Sequence, residues 1–147
     1  MREEASWWLD DAHRSLKIAD QNYKDEFYEV TVFYCQQGLE KLLTGSIMAF
    51  KKQRPKKTHK LIELYRAVEA SVPLDEALKD FLCTIAPYYF TARYPDVAMG
   101  LPLDAITKRF ADESLDKTKR IFECFDKKLS KAYFENTSGR CPSRLIE

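Results

Sequence analysis

Apolar residues return every three or four positions along nearly the whole of this chain, and a repeat of that length commits it to helices that each bury one face. From Glu3 to about Tyr23 the stripe is Ala5, Trp8, Ala12, Leu16, Ala19 and Tyr23. A second stripe runs through Val32, Cys35, Leu39, Leu42, Leu43, Ile47 and Phe50, with Gln36, Gln37, Glu40 and Lys41 on the remaining sides and Gly38 and Gly45 as weak points. The segment KKQRPKKTHK then breaks the rhythm, because Pro55 disfavours helix at Arg54, and Thr58 is suited to cap the next helix. That third helix carries Leu61, Leu64, Tyr65 and Val68 and stops near Pro73. A fourth carries Leu78, Phe81, Leu82 and Ile85, and Pro87 kinks or ends it inside PYYF. TARYPDVAMGLP, with two prolines and a glycine, reads as a loop. The last helix begins around Pro102 and carries Ile106, Phe110, Leu115, Ile121, Phe125, Leu129 and Tyr133. No segment alternates as a strand does. The expected fold is all-α: a five-helix up-and-down antiparallel bundle over residues 1–135, followed by a polar tail over 136–147.

A chain of 147 residues is long enough to bury one independent core and has the common size of one domain. Its 24 basic and 23 acidic residues leave a formal charge of +1, so no overall field draws it to nucleic acid or anionic lipid, and any such contact needs a local patch. Cys35, Cys83, Cys124 and Cys141 are far apart and lack the pairing of a zinc site, which points to no metal, no disulfide framework and a reducing cytoplasm. No run approaches the ~20 apolar residues of a membrane span. The chain lacks a P-loop, a dinucleotide fingerprint, a nucleophile elbow and an H-E-x-x-H pair, so no cofactor is expected and the enzyme classes built on those motifs are disfavoured.

Six cations, Lys51, Lys52, Arg54, Lys56, Lys57 and Lys60, fall within ten residues that hold no acid, just before a helix start where backbone N–H groups favour anions. The patch is either a solvated loop or a phosphate contact, with Arg54, Lys56 and Lys57 as phosphate ligands in the second case. His59 either bonds to nearby backbone or serves phosphate binding and proton transfer. His13, beside Arg14 on the polar side of its helix, reads as a surface residue. Arg93 is braced by Asp96 or offers its planar fork to phosphate, with Tyr88, Tyr89, Phe90 and Tyr94 available to stack on a base. Gln37, Glu40 and Lys41 form a supporting polar face or a partner interface.

Taken in order, WWLDDAHRSLKIA, FYEVTVFYCQQGLEKLL, THKLIELY and ARYPD resemble the HEPN domain, from about Trp7 to Phe125, with QQGLEKLL and RYPD the more specific parts. The resemblance implies a helical bundle, a homodimer, and genetic partnership with a small nucleotidyltransferase in prokaryotic toxin–antitoxin pairs. Many HEPN proteins are metal-independent ribonucleases with an R-x4-6-H motif near the last helices. Here YPDVAMGLPLDAITK follows Arg93 without a histidine, and only Arg54 and His59, in the basic loop, match R-x4-H formally. The RYPD form resembles the branch regarded as nucleotide-binding or as a non-nucleolytic partner. The expectation is therefore a homodimeric binding module that takes nucleotide or RNA phosphate through Arg93, His59 and the basic loop. The alternatives are a ribonuclease toxin with His59 as its catalytic group and a helical dimerisation scaffold.

Overall fold

The computed structural model describes residues 2–91, 94, 96 and 106–137. Among these residues there are six helices and no strand: α1 (Arg2–Lys24), α2 (Tyr28–Lys51), α3 (Leu61–Arg66), α4 (Glu76–Ile85), α5 (Tyr88–Thr91) and α6 (Lys108–Thr137). The fold is the expected all-helical bundle. The additional helix arises at Pro87, whose missing N–H ends α4 and leaves the PYYF segment as a short helix of its own.

Glu3 and Glu4 in the first turn of α1 and Lys24 in its last complement the helix dipole. The helix closes with Glu26 at φ 66°, while Glu26 N–H donates to the Tyr23 carbonyl at 3.1 Å and Phe27 N–H to that of Asn22 at 2.9 Å. This left-handed cap satisfies terminal carbonyls and turns the chain back on itself, so that α2 returns along α1.

Helix α2 is the central element, in contact with α1, α3, α5 and α6. It is consequently buried on nearly every side, from Thr31 and Val32 through Leu39, Leu42 and Leu43 to Met48. Gln36, expected on a polar side, is fully buried for the same reason. Gly45 marks the close approach of α1: a Cβ there would lie 2.8 Å from Leu9 Cγ and 3.1 Å from Trp8 Cβ. The apparent weak point in helix propensity is thus where two helices touch.

Asp75 caps α4, its Oδ1 accepting the Leu78 N–H at 2.9 Å. Thr58 does not cap α3. The cap residue is Lys60, and the Thr58 hydroxyl instead accepts the Lys60 N–H at 3.1 Å. Helix α3 is also shorter than expected, and turns carry the chain on toward Pro73. There the buried Tyr65 hydroxyl donates to the Val72 carbonyl and accepts from Leu74 N–H, both at 2.8 Å, which ties that connection to the core. Helix α6 closes the bundle with Ala111, Leu115, Ile121, Phe122, Phe125 and Leu129. The start expected for it around Pro102 lies outside the described residues.

Candidate functional site

Three segments converge beside the basic loop. Helix α2 supplies Phe33, Gln36, Gln37 and Glu40, the residues before α3 supply His59, and α5, lodged against α2, supplies Tyr89 and Phe90. The His59 ring lies flat on Tyr89, with centroids 4.1 Å apart and planes 18° apart, and Phe90 meets it edge-on at 6.3 Å. Its Nδ1–H donates to Glu40 Oε1 at 2.8 Å. Behind the carboxylate, Gln36 Nε2 approaches Glu40 Oε1 at 3.4 Å, and Gln37 Nε2 donates to Gln36 Oε1 at 2.8 Å. The carboxylate is thus set by a buried amide, and it in turn sets the imidazole tautomer and plane.

The consequence is an oriented but accessible histidine. His59 is 49% exposed and Glu40 19%, and Nε2 is the ring edge turned away from the carboxylate. Phe90 and Tyr94, near-parallel at 28°, are exposed beside it. Exposed aromatic faces next to cations are the elements with which proteins hold unstacked bases and phosphates.

The other sequence-predicted residues divide. Lys56 and Lys57 are exposed on the loop preceding His59. Arg54, by contrast, is held away from His59 by a bidentate pair with Glu4 of α1, at 2.8 and 2.9 Å. The formal R-x4-H match therefore does not form one cluster. Lys41 is drawn to α1 as well, with Asp11 at 2.7 Å and the Ser15 hydroxyl at 3.4 Å. Asp96 is exposed, and Arg93 and the expected Arg93–Asp96 brace lie outside the described residues.

A second histidine–carboxylate pair escaped the sequence reading. His13 is not a surface residue. It is 12% exposed, its Nδ1–H donates to the Leu9 carbonyl at 2.9 Å, and its Nε2 lies 2.9 Å from Asp126 Oδ2 on α6. Its ring also meets Phe122 edge-on at 5.2 Å. Burial disfavours the charged imidazole, but the bonds to Asp126 and the Leu9 carbonyl outweigh it and raise the His13 pKa above 6.5. Burial likewise raises the Asp126 carboxyl above its usual 3.8 against the pull of His13. A proton is therefore held more tightly by this pair in the folded protein than in the unfolded chain. Its partners lie 113 residues apart, so no local pattern joins them; the one local hint was that His13 directly follows the core residue Ala12.

Among the described residues Cys35, Cys83 and Cys124 are free thiols. Cys35 is buried, and burial pushes its thiol up to about 12, which keeps it protonated and inert. Among the described residues, no three His, Cys, Asp or Glu side chains gather as metal ligands, and no helix is long and apolar enough to cross a membrane.

Comparison with known proteins places this geometry in context. The family model for the HEPN domain matches residues 5–129. Among solved structures, TT1696 from Thermus thermophilus is similar with a TM-score of 0.75 and 26% identity, over 84% of this chain and 97% of that one. ST0689, described as an archaeal HEPN homologue, has a TM-score of 0.69 and 25% identity, over 85% of this chain and 97% of that one. No curated protein matches this chain.

Proposed function

The chain belongs to the HEPN domain family, and on that premise we propose that it is a homodimeric module that binds nucleotide or RNA phosphate at His59, with a minimal nucleotidyltransferase as its partner in a toxin–antitoxin type pair. One observation carries the reading: the half-exposed His59, stacked on Tyr89 and oriented by Glu40, faces solvent beside the lysine-rich loop and the exposed rings of Phe90 and Tyr94. Lys56 and Lys57 attract the phosphates, the aromatic faces take a base, and His59 Nε2 meets a phosphate oxygen. Arg93, three residues beyond Phe90, adds a guanidinium to the same ligand.

The same geometry favours one alternative. A carboxylate on Nδ1 with Nε2 turned outward is the arrangement of an oriented general acid–base, so a metal-independent ribonuclease centred on His59 is the second reading. The test is incubation of the purified protein with labelled single-stranded RNA and, separately, with ATP, in chelator and moderate salt, beside His59→Ala and Arg93→Ala variants. Binding without cleavage, weakened in both variants, is the expected result. Cleavage that His59→Ala abolishes would establish the nuclease, and neither binding nor cleavage would reduce the chain to a dimerisation scaffold.

A further inference from the structure

Glu40 stands in the middle of a hydrogen-bonded chain whose direction is set from one end to the other. Gln36, on α2, is fully buried. Its Oε1 accepts from Gln37 Nε2 at 2.8 Å, so its own Nε2 faces Glu40 Oε1, at 3.4 Å. The reverse orientation would set the Gln36 carbonyl oxygen against the carboxylate, acceptor against acceptor. Glu40 Oε1 therefore receives an N–H from one side, and on the other it lies 2.8 Å from His59 Nδ1. A ring lone pair at that position would likewise face a carboxylate oxygen, so Nδ1 carries the hydrogen.

That hydrogen decides the state of the opposite edge of the ring. A neutral imidazole protonated on Nδ1 has a lone pair on Nε2, the edge turned away from Glu40. A phosphodiester oxygen has no hydrogen to give, so Nε2 meets it only after taking a second proton, as an imidazolium in which both ring nitrogens donate. The surroundings of the ring bear on that charge from each side. Glu40 of α2 pairs with it, and the Tyr89 face of α5, stacked at 4.1 Å, attracts it. Lys56 and Lys57 on the loop oppose it, as does Lys60, which caps α3 with its Nζ 3.9 Å from Glu63, until a phosphate brings negative charge among them. The second proton brings the His59–Glu40 pair to zero net charge, so it removes a repulsion without adding a net cation.

We propose that phosphate binding at this site is coupled to uptake of one proton by His59, and that Gln36 is the positioning residue that enforces the coupling by holding the Glu40 carboxylate against Nδ1. The proposal rests on the reading of His59 as a phosphate ligand and adds its regulation: the site fills as the pH falls and empties as it rises.

The probe is single-stranded hexa-adenylate with methylated 2′-oxygens and no terminal phosphate, so that its phosphodiesters do not titrate near neutral pH and its hydroxyls cannot assist cleavage. Calorimetry on the full chain in two buffers of different ionisation heat should show net proton uptake, and affinity should fall about tenfold from about pH 6 to 8. Both effects should vanish in His59→Gln and persist in His13→Asn, which removes the other histidine. Nitrogen NMR of the free protein at about pH 8 should place the ring hydrogen on Nδ1. Gln36→Met should move it toward Nε2 and reduce the proton uptake. Glu40→Gln, which keeps an acceptor but no charge, should reduce the uptake as well. Affinity independent of pH, uptake that survives His59→Gln, or a wild-type ring hydrogen on Nε2 would each overturn the proposal, and a Gln36→Met protein that is only less stable, with tautomer and uptake unchanged, would strip Gln36 of its role. Absence of binding at every pH would remove the phosphate reading itself and the proposal with it.

Discussion

His59–Glu40 and His13–Asp126 are the same chemical pair at nearly the same distance, 2.8 and 2.9 Å, yet their surroundings assign them different work. In the first, the imidazole is about half exposed, the carboxylate uses one ring nitrogen, and an aromatic face supports the ring from below. In the second, both ring nitrogens are engaged, both side chains are nearly buried, and the ring is wedged against Phe122 between two long helices. Exposure leaves a histidine a free edge for a ligand. Burial turns it into a clamp, because separating the partners strands a charge away from water.

The largest effect expected from this contrast is on stability. His13→Ala removes a charge-assisted bond and leaves Asp126 buried beside an unfilled wall, which should cost about 2–3 kcal/mol in urea denaturation. His59→Ala deletes an exposed pair and should stay within about 1 kcal/mol. Equal costs for the two variants would dissolve the distinction.

The second effect is on binding and runs the other way. Tyr89→Ala should lower affinity for ATP or single-stranded RNA about tenfold, since stacking is worth roughly 1–3 kcal/mol per base and the His59 ring loses its support. His13→Ala, measured well below its melting temperature, should bind these ligands as the wild type does. If His13→Ala weakens them as much as Tyr89→Ala, the two pairs are coupled rather than separate.

How far these assignments could be read from sequence follows from the range of the interactions involved. The helices were legible because their signal is local: Leu39, Leu42 and Leu43 declare a buried face by spacing alone, and Pro87 declares a break. His59, Glu40 and Gln37 were legible as candidate polar residues, but what joins them, a ring stack and a bond across 19 residues, was not. Gln36, expected on a polar side, is buried because α2 has neighbours on most of its sides, so that only part of its polar stripe, Gln37, Glu40 and Lys41, keeps access to solvent. The partners of His13 and Arg54 were out of reach of the sequence for a related reason. Each of these two residues is fixed by a carboxylate at least 50 residues away, Asp126 and Glu4, and periodicity carries no information about such partners.

A third effect sharpens the comparison through pH. His13 is raised above 6.5, so its contribution to stability is complete below pH 6.5 and is lost as the pH rises through its folded value. The raised Asp126 acts in the same direction, because the folded pair keeps a proton that the unfolded carboxylate releases above 3.8. Stability at fixed temperature should therefore decline from about pH 6 upward, and His13→Asn should remove much of that slope. A wild-type profile that rises over this interval, or a slope that survives His13→Asn, would contradict the clamp.

The smallest effect separates the cations around His59 from the ring itself. Lys56 and Lys57 are exposed on a loop with no acid in the ten residues KKQRPKKTHK, so their attraction for phosphate is long-ranged and screened by salt, with a Debye length of about 8 Å at physiological ionic strength. Arg54 sits in the same stretch, but its guanidinium is already neutralised by Glu4. Lys56→Ala and Lys57→Ala should each flatten the dependence of RNA affinity on salt by less than about one unit of log–log slope, while Arg54→Ala changes it little. His59→Ala should weaken binding at every salt concentration without flattening the slope. An Arg54 effect as large as that of the lysines would mean that Glu4 releases the guanidinium when RNA arrives, and that the basic loop acts as a whole rather than through its unpaired part.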